Sequence, residues 1–226
     1  MIVMKFGGSS IDSPLAFEIV ADIIESRRHR YPIVVLSASG DTTNLLGQSI
    51  DTIVNGSPDE GHRILRNLHD THQSMANALI RSARWRQHFS DVTGDYVSEL
   101  QELLTGASLL HDISARSVDR ILSFGERYST LLMYCYLKDR ELPVRLLDAR
   151  DFIKTDQEFT KARPLFSESN REIRRAFDAP ELQESIPIVQ GFIGATEAGD
   201  TTTLGRGGSD YSASLIGAAL EVEDIE

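Results

Sequence analysis

The sequence predicts an α/β fold built around a parallel β-sheet, and three features of its beginning support this. An apolar run from Met1 to Phe6 has the length of a buried strand. Apolar residues at helical spacing follow it. A second continuous apolar run, Pro32 to Ser37, is typical of a parallel strand covered on both faces. Strand, helix and strand in this order form a βαβ unit, which places the two strands side by side and parallel.

Local signals predict the next elements. Ser13 and Pro14 stand where the N-cap and the first residue of a helix belong. After the second strand, residues from about 41 to 106 are predicted to form a mainly helical excursion from the sheet. One helix of this excursion opens with a capping-box pattern at 57–60, and another is predicted to stop at 105–106.

Beyond the excursion, helix-spaced and continuous apolar patterns alternate again. No repeat, low-complexity tract or Pro/Gly/Ser-rich linker divides the chain, so one domain over residues 1–226 is predicted. The remaining elements are predicted as a long helix at 119–138, a strand at 143–149, a helix at 167–177, one or two strands at 186–195 and a helix at 207–220.

Charge and composition exclude several classes of partner. The 226 residues include 34 acidic and 23 basic ones, a formal net charge of −11. Such a field disfavours nucleic acid and anionic membrane surfaces. No stretch approaches the ~20 apolar residues of a membrane span. Cys135 is the single cysteine, which agrees with a cytoplasmic location, and core packing is its predicted role.

Two glycine-rich turns carry the first chemical signal. KFGGSS at 5–10 and TLGRGGSDYSAS at 203–214 each follow an apparent strand and open onto a helix. Backbone N–H groups at such a turn form an anion site, and glycine lets a phosphate approach the main chain closely. Neither turn is a Walker A loop, because Lys5 precedes its glycines. Taken singly, such turns are more often structural, and a lone lysine is more often a surface charge.

A set of charged groups points to an amino-acid substrate. Arg206, Ser209 and Asp210 lie in the second turn and offer a cationic fork, a hydroxyl and an acceptor for an ammonium group. An amino acid carries both kinds of ionic group. Glu126 adds a carboxylate on an otherwise apolar helix, with a solvated helix face as the alternative interpretation. The three histidines of segment 62–72 are predicted to lie on a solvated face, and no metal site is assigned.

Five stretches of the chain together form a more specific pattern than any one of them alone. They are KFGGSS, VVLSASGDTTNLL, ILSFGERYS, FIKTDQEFTKARP and VQGFIGATEAGDTTTLGRGGSDYSASLIGAAL. They span Lys5 to Leu220 and resemble, in family order, the aspartate kinases of the amino-acid kinase superfamily. The resemblance implies an open, three-layer, mainly parallel α/β sheet with helices on both faces. It also implies ATP-dependent phosphorylation of the side-chain carboxylate of L-aspartate to 4-phospho-L-aspartate, the first step of lysine, threonine and methionine synthesis.

The resemblance further implies roles for individual residues, with L-aspartate and ATP as ligands and Mg²⁺ held largely by phosphate oxygens and water. Lys5 and Asp210 are implied to be catalytic, with Lys5 neutralising charge on the transferring phosphoryl group. Within the substrate site, Glu126 is implied to hold the amino group and Arg206 a carboxylate. The implied phosphate-binding residues are Lys5, Gly7, Gly8 and Ser9. The implied substrate-binding residues are Ser39, Thr43, Glu126, Arg206, Ser209 and Asp210.

The chain departs from the family pattern in two places. Asp41 stands where relatives usually have a small or apolar residue, and places a negative charge near an anionic site. The chain ends at Glu226, before a strand, a nucleotide-site motif and the regulatory domains of the family, so the C-terminal part of the catalytic domain is expected to be missing. Two alternatives stay open: a catalytically incomplete fragment that binds aspartate or a partner subunit, and another carboxylate kinase of the superfamily. Assembly as a homo-oligomer is left open.

Overall fold

The structure, a computed structural model, describes residues 1–182 and 184–226, which fold around a parallel sheet. The strands are β1 (Ile2–Phe6), β2 (Pro32–Leu36), β3 (Val144–Leu147), β4 (Ile186–Gln190), β5 (Ile193–Ala195), β6 (Thr201–Thr203) and β7 (Asp224–Ile225). The main sheet has the order β3-β4-β2-β1-β7 with every neighbouring pair parallel, whereas β5 and β6 form an antiparallel pair. The in-register pairing of β1 with β2 confirms the predicted βαβ unit.

Helices cover both faces of the sheet. They are α1 (Pro14–Ser26), α2 (Thr42–Val54), α3 (Pro58–Leu79), α4 (Ala83–Leu110), α5 (Ala115–Leu122), α6 (Phe124–Asp139), α7 (Ala149–Phe152), α8 (Phe166–Phe177) and α9 (Gly208–Leu220). Side chains of β2 alternate between the two faces. Val34 and Leu36 join a core formed with α1 to α6, while Ile33 and Val35 join a second core with α7 to α9. The predicted three-layer α/β architecture is confirmed.

Local signals act as predicted at the start of α1 and only partly at the start of α3. The Ser13 Oγ accepts a hydrogen bond from the Ala16 N–H at 3.3 Å, and Pro14 is the first helical residue. Pro58 likewise begins α3. Within the described part of the chain, however, the Ser57 side chain makes no capping hydrogen bond, so the predicted capping box is wrong.

Two predicted helix boundaries are also wrong. α4 continues through Gly106 to Leu110, because one helical glycine costs only about 1 kcal/mol and the neighbouring Leu104 is fully buried. The helix predicted over 119–138 is two helices, α5 and α6, which meet at Ser123. The apparent strand before the second glycine-rich turn, for which no bounds are predicted, is β6, and its three threonines are all buried.

Two predictions about single side chains have opposite outcomes. Cys135 is fully buried in α6, where burial raises its pKa to about 12, so its packing role is confirmed. His72 is only 2% exposed, and its ring lies 4.7 Å from the ring of Tyr128. The predicted solvated face is therefore wrong for this histidine. Among the described residues, no helix is long and apolar enough to cross a membrane.

The carboxyl ends of β1, β2 and β4 lie side by side, and backbone hydrogen bonds join the loops that follow them. The Gly40 N–H donates to the Gly8 carbonyl at 3.0 Å, and the Gly191 N–H donates to the Leu36 carbonyl at 2.8 Å. Parallel α/β sheets form binding crevices at this edge, where loops diverge from adjacent strands. The strand order therefore decides where the candidate site lies.

Candidate active site

A cleft of about 420 Å³ opens at this edge of the sheet. Its walls come from the loops after β1, β2 and β6 and from the first turns of α2, α6 and α9. Three predicted site residues, Gly7, Ser9 and Ser39, lie outside the lining. The predicted residues that line it are Lys5, Gly8, Thr43, Glu126, Arg206, Ser209 and Asp210.

Lys5 and Asp210 form an ion pair at the mouth of the cleft. The Lys5 Nζ lies 2.7 Å from the Asp210 Oδ1, which joins the end of β1 to the first turn of α9. A methyl group on Gly7 would lie 3.5 Å from the same Nζ, so the glycine leaves the space beside the ammonium group open. The pair holds a cation at the cleft while leaving its other hydrogens free to contact an anion.

Gly8 is required by a close approach of two backbone segments. A methyl group at this position would lie 2.7 Å from the carbonyl oxygen of Ala38 and 3.2 Å from that of Gly40. Only glycine allows this approach. Ser9 follows in a short 3₁₀ turn and is exposed. The turn therefore sets the shape of the cleft wall through Gly8.

Glu126 is a buried carboxylate that faces the cleft. It is 3% exposed, and its Oε1 accepts a hydrogen bond from the Ala38 N–H at 3.0 Å. Its Oε2 is buried and has no hydrogen-bond partner among the described residues. Burial raises the pKa of Glu126 to about 8, although the Ala38 N–H acts in the opposite direction. The solvated alternative is wrong, and the arrangement is suited to a cationic group of a ligand.

The loop after β2 supports the site through Ser39 and lines it through Thr43. The Ser39 hydroxyl is buried and donates to the Ile11 carbonyl, so it ties two loops together instead of facing the cleft. Thr43 lies in the first turn of α2 and is half-buried. Asp41 is exposed and accepts a hydrogen bond from the Asn44 side chain. Asp41 is not among the residues that line the cleft, although Gly40 and Thr43 on either side of it are.

The second glycine-rich turn presents Arg206 to the cleft. Gly205 and Gly207 have φ angles of 72° and 77°, in the left-handed region that favours glycine. Arg206 between them is exposed and has no ion-pair partner among the described residues. Ser209 is buried in the first turn of α9. The turn thereby places a free cationic fork at the rim and a hydroxyl below it.

Sequence reasoning missed Asp119, which holds the cleft wall from behind. This side chain is fully buried in α5, and burial raises its pKa, against hydrogen bonds to Thr203 and Thr160 that lower it. Its Oδ2 accepts from the N–H groups of Thr160 at 2.8 Å and Thr203 at 3.0 Å, and its Oδ1 accepts from the Thr203 hydroxyl at 2.6 Å. Both threonines line the cleft. No sequence motif marks Asp119, because its partners are 41 and 84 residues away.

The described residues contain no cluster of three or more His, Cys, Asp or Glu side chains that could hold a metal ion. The cleft instead combines the ammonium group of Lys5, the guanidinium of Arg206 and the buried carboxylate of Glu126. Such a set is suited to an ionic ligand with groups of both signs. The cleft also contains the backbone turn at Gly8, where a phosphate could approach the main chain.

Comparison with known proteins identifies the family. The sequence pattern of the amino acid kinase family matches residues 1–226. The chain belongs to this family. Among curated members, aspartokinase 1, chloroplastic, of Arabidopsis thaliana is 36% identical over 99% of the chain and 39% of its own length. Lysine-sensitive aspartokinase 3 of Escherichia coli is 32% identical over 100% of the chain and 48% of its own length.

Solved structures agree with this family assignment. The crystal structure of E. coli aspartokinase III in complex with aspartate and ADP superposes with a TM-score of 0.88 at 32% identity, covering 100% of this chain and 48% of that one. A second crystal structure of the same relative, in complex with lysine and aspartate, superposes with the same TM-score. The amino acid kinase chain described here thus spans about half or less of the length of these relatives.

Proposed function

We propose that this chain carries the substrate cleft of an ATP-dependent aspartate kinase, which forms 4-phospho-L-aspartate and ADP. The observation that supports the proposal is the meeting of Lys5, Glu126 and Arg206 in one cleft beside the Gly8 turn. The relatives are named aspartokinases, and one of them was crystallised with aspartate and ADP. This activity would make the chain part of lysine, threonine and methionine synthesis.

In this proposal Glu126 and Arg206 select the amino acid. The ammonium group of aspartate favours the ionised form of Glu126. The free Oε2 of Glu126 then accepts hydrogen bonds from that ammonium group, which supplies the partner that this buried oxygen lacks. Arg206, with no ion-pair partner among the described residues, contacts the α-carboxylate through its planar fork. An amino acid held at both of these groups leaves only its side-chain carboxylate to react.

The transfer itself needs charge neutralisation more than proton movement. An oxygen of the aspartate side chain attacks the γ-phosphorus of ATP, and the bond from that phosphorus to the bridging oxygen of ADP breaks. The attacking carboxylate is already ionised at neutral pH, so no strong general base is required. Lys5 stabilises the negative charge on the phosphoryl oxygens. Asp210 positions the ammonium group of Lys5 through the ion pair between the two side chains. Mg²⁺ bound with ATP would supply further charge neutralisation.

The proposal is tested by binding and turnover measured separately. Calorimetry with L-aspartate, L-glutamate and succinate would show whether the cleft requires both the ammonium group and the four-carbon length. A coupled assay of ADP release would measure turnover. We expect Lys5→Ala to lower turnover roughly 100-fold or more, as found when one transition-state donor is removed, with unchanged circular dichroism. Lys138→Ala, at the far end of α6, is the matched control and should have no effect.

The outcomes separate the candidate functions. Preferential binding of L-aspartate with ADP release supports the kinase. Preferential binding without ADP release supports instead a chain that binds aspartate without phosphorylating it. Preference for a different carboxylate would favour another carboxylate kinase of the same family. Normal turnover in a folded Lys5→Ala variant would remove Lys5 from the mechanism. Assembly as a homo-oligomer and a cytoplasmic location remain predictions.

A further inference from the structure

A second cavity, of about 470 Å³, lies behind the wall of the active-site cleft. Four arginines line it: Arg116, Arg120, Arg127 and Arg150. The carboxylates in its lining are those of Glu99 and Asp200. This "arginine cavity" is therefore a local excess of positive charge in a chain whose formal net charge is −11.

Three of the four arginines have carboxylate partners. The Arg120 Nε lies 2.6 Å from the Glu99 Oε1, and the Arg116 Nη1 lies 3.2 Å from the Asp200 Oδ1. Arg150 donates two parallel hydrogen bonds to Asp148. These pairs hold three guanidinium groups in place around the cavity.

Arg127 is the exception. Its nearest carboxylate oxygen, the Glu99 Oε2, lies 4.0 Å from its Nη1, beyond hydrogen-bond distance. This Nη1 is buried and has no hydrogen-bond partner among the described residues. The guanidinium lies over the rings of Tyr96 and Phe124, at 4.3 and 4.1 Å from their centroids. The Tyr96 hydroxyl also interacts with this guanidinium, but the buried Nη1 keeps no hydrogen-bond partner among the described residues.

A buried, charged donor without an acceptor is unfavourable, and an oxyanion in the cavity would satisfy it. Burial also lowers the pKa of Arg127, as expected for a cation that lacks sufficient negative charge nearby. Phosphate oxygens suit this site because they accept hydrogen bonds from several guanidinium groups at once. The volume leaves room for a substituent larger than the phosphate itself.

We propose that the arginine cavity is a binding site for a phosphate group, either free phosphate or the phosphate of a small phosphomonoester, with Arg127 as its central donor. The site is separate from the active-site cleft, since the two linings share no residue. Glu126 and Arg127 are consecutive on α6, and they face the cleft and the cavity respectively. The proposal goes beyond the aspartate kinase function, and binding alone tests it.

The test is calorimetric titration of the Lys5→Ala chain with inorganic phosphate and, in a second arm, with glycerol 3-phosphate. Lys5→Ala removes the phosphate-binding cation of the active-site cleft. In this background we expect Arg120→Gln to weaken phosphate binding at least about tenfold, because it removes one charged donor and frees Glu99 to pair with Arg127. Glu99→Gln should tighten binding, because it removes the competing carboxylate. Arg175→Gln, at a side chain 83% exposed and outside the cavity, is the matched control.

Opposite shifts for Arg120→Gln and Glu99→Gln support the proposal, whichever of the two ligands binds more tightly. Tighter binding of glycerol 3-phosphate identifies a phosphomonoester as the occupant, and equal or weaker binding identifies free phosphate. The proposal is overturned if the Lys5→Ala chain binds neither ligand. It is equally overturned if the two substitutions leave both affinities unchanged or shift them in the same direction. Arg120 is exposed and Glu99 is half-buried, and thermal melting of each variant checks that the fold is retained.

Discussion

Replacing Glu126 by glutamine should make the protein more stable, and increasingly so as pH rises. Glutamine has nearly the same shape and keeps an oxygen that can accept from the Ala38 N–H, but it carries no charge. Burial raises the pKa of Glu126 from its ordinary value of 4.5 to about 8. Between these two values the folded chain keeps a proton that the unfolded chain has released. The free energy of unfolding contributed by Glu126 therefore falls as pH rises through this window.

The magnitude follows from the distance between the two pKa values. Each pKa unit corresponds to about 1.4 kcal/mol, so the penalty for ionising Glu126 in the folded state reaches roughly 4 kcal/mol near pH 8. Below the unfolded pKa this penalty disappears. We therefore expect Glu126→Gln and the wild type to differ little in stability at pH 4.5, and the variant to be more stable by roughly 4 kcal/mol at pH 8.

The assay is urea unfolding at several pH values from 4.5 to 8.5, followed by circular dichroism. The difference between variant and wild type cancels the contributions of other titrating groups. Glu102→Gln, on the exposed face of α4, is the control and should give a difference that is small and independent of pH. The reasoning would be refuted if Glu126→Gln and the wild type differed in stability by the same amount at pH 4.5 and at pH 8. A difference that does not depend on pH cannot come from ionisation of the buried carboxyl group.

Three further predictions concern the walls of the cleft. Asp119→Asn should lower the free energy of unfolding by about 2 kcal/mol, because an amide nitrogen in the place of Oδ1 cannot accept from the Thr203 hydroxyl and the charge behind the other hydrogen bonds is lost. Urea unfolding measures this, and the KM for aspartate should rise. Gly8→Ala should destabilise by about 1 to 3 kcal/mol through a backbone clash, whereas Gly47→Ala, with open space around it, should stabilise by about 1 kcal/mol in thermal unfolding. Arg206→Ala should weaken aspartate binding by about 2 kcal/mol in calorimetry without weakening ATP binding, and Arg175→Ala should change neither.

Each of these predictions has a contrary result. Unchanged stability in Asp119→Asn would mean that its hydrogen bonds do not hold the cleft wall. A Gly8→Ala variant as stable as the wild type would show that the backbone segments can separate at no cost. Equal losses of aspartate and ATP affinity in Arg206→Ala would contradict its assignment to the amino-acid substrate.

Local sequence determined those parts of the fold that depend on neighbouring residues. Ser13 and Pro14 predicted the start of α1 because a cap and a fixed φ angle act within one helical turn. The apolar runs of β1 and β2 predicted a parallel pair because the helix between them allows no antiparallel hairpin. Where tertiary contacts compete with local signals, the prediction was wrong, as at Gly106, a predicted stop inside a helix whose neighbours are buried.

By itself, the sequence determined the family and the parallel sheet, and it identified most of the predicted site residues that line the cleft. It could do so because glycine-rich turns and charged motifs consist of residues that are neighbours in the chain. Only the tertiary structure decided which of those residues face the cleft and which of them are buried. Glu126 is buried against the N–H of Ala38, 88 residues away, and Asp119 against Thr203, 84 residues away. Burial and desolvation depend on such distant partners, so no pattern in the neighbouring residues separates a buried carboxylate from a solvated one.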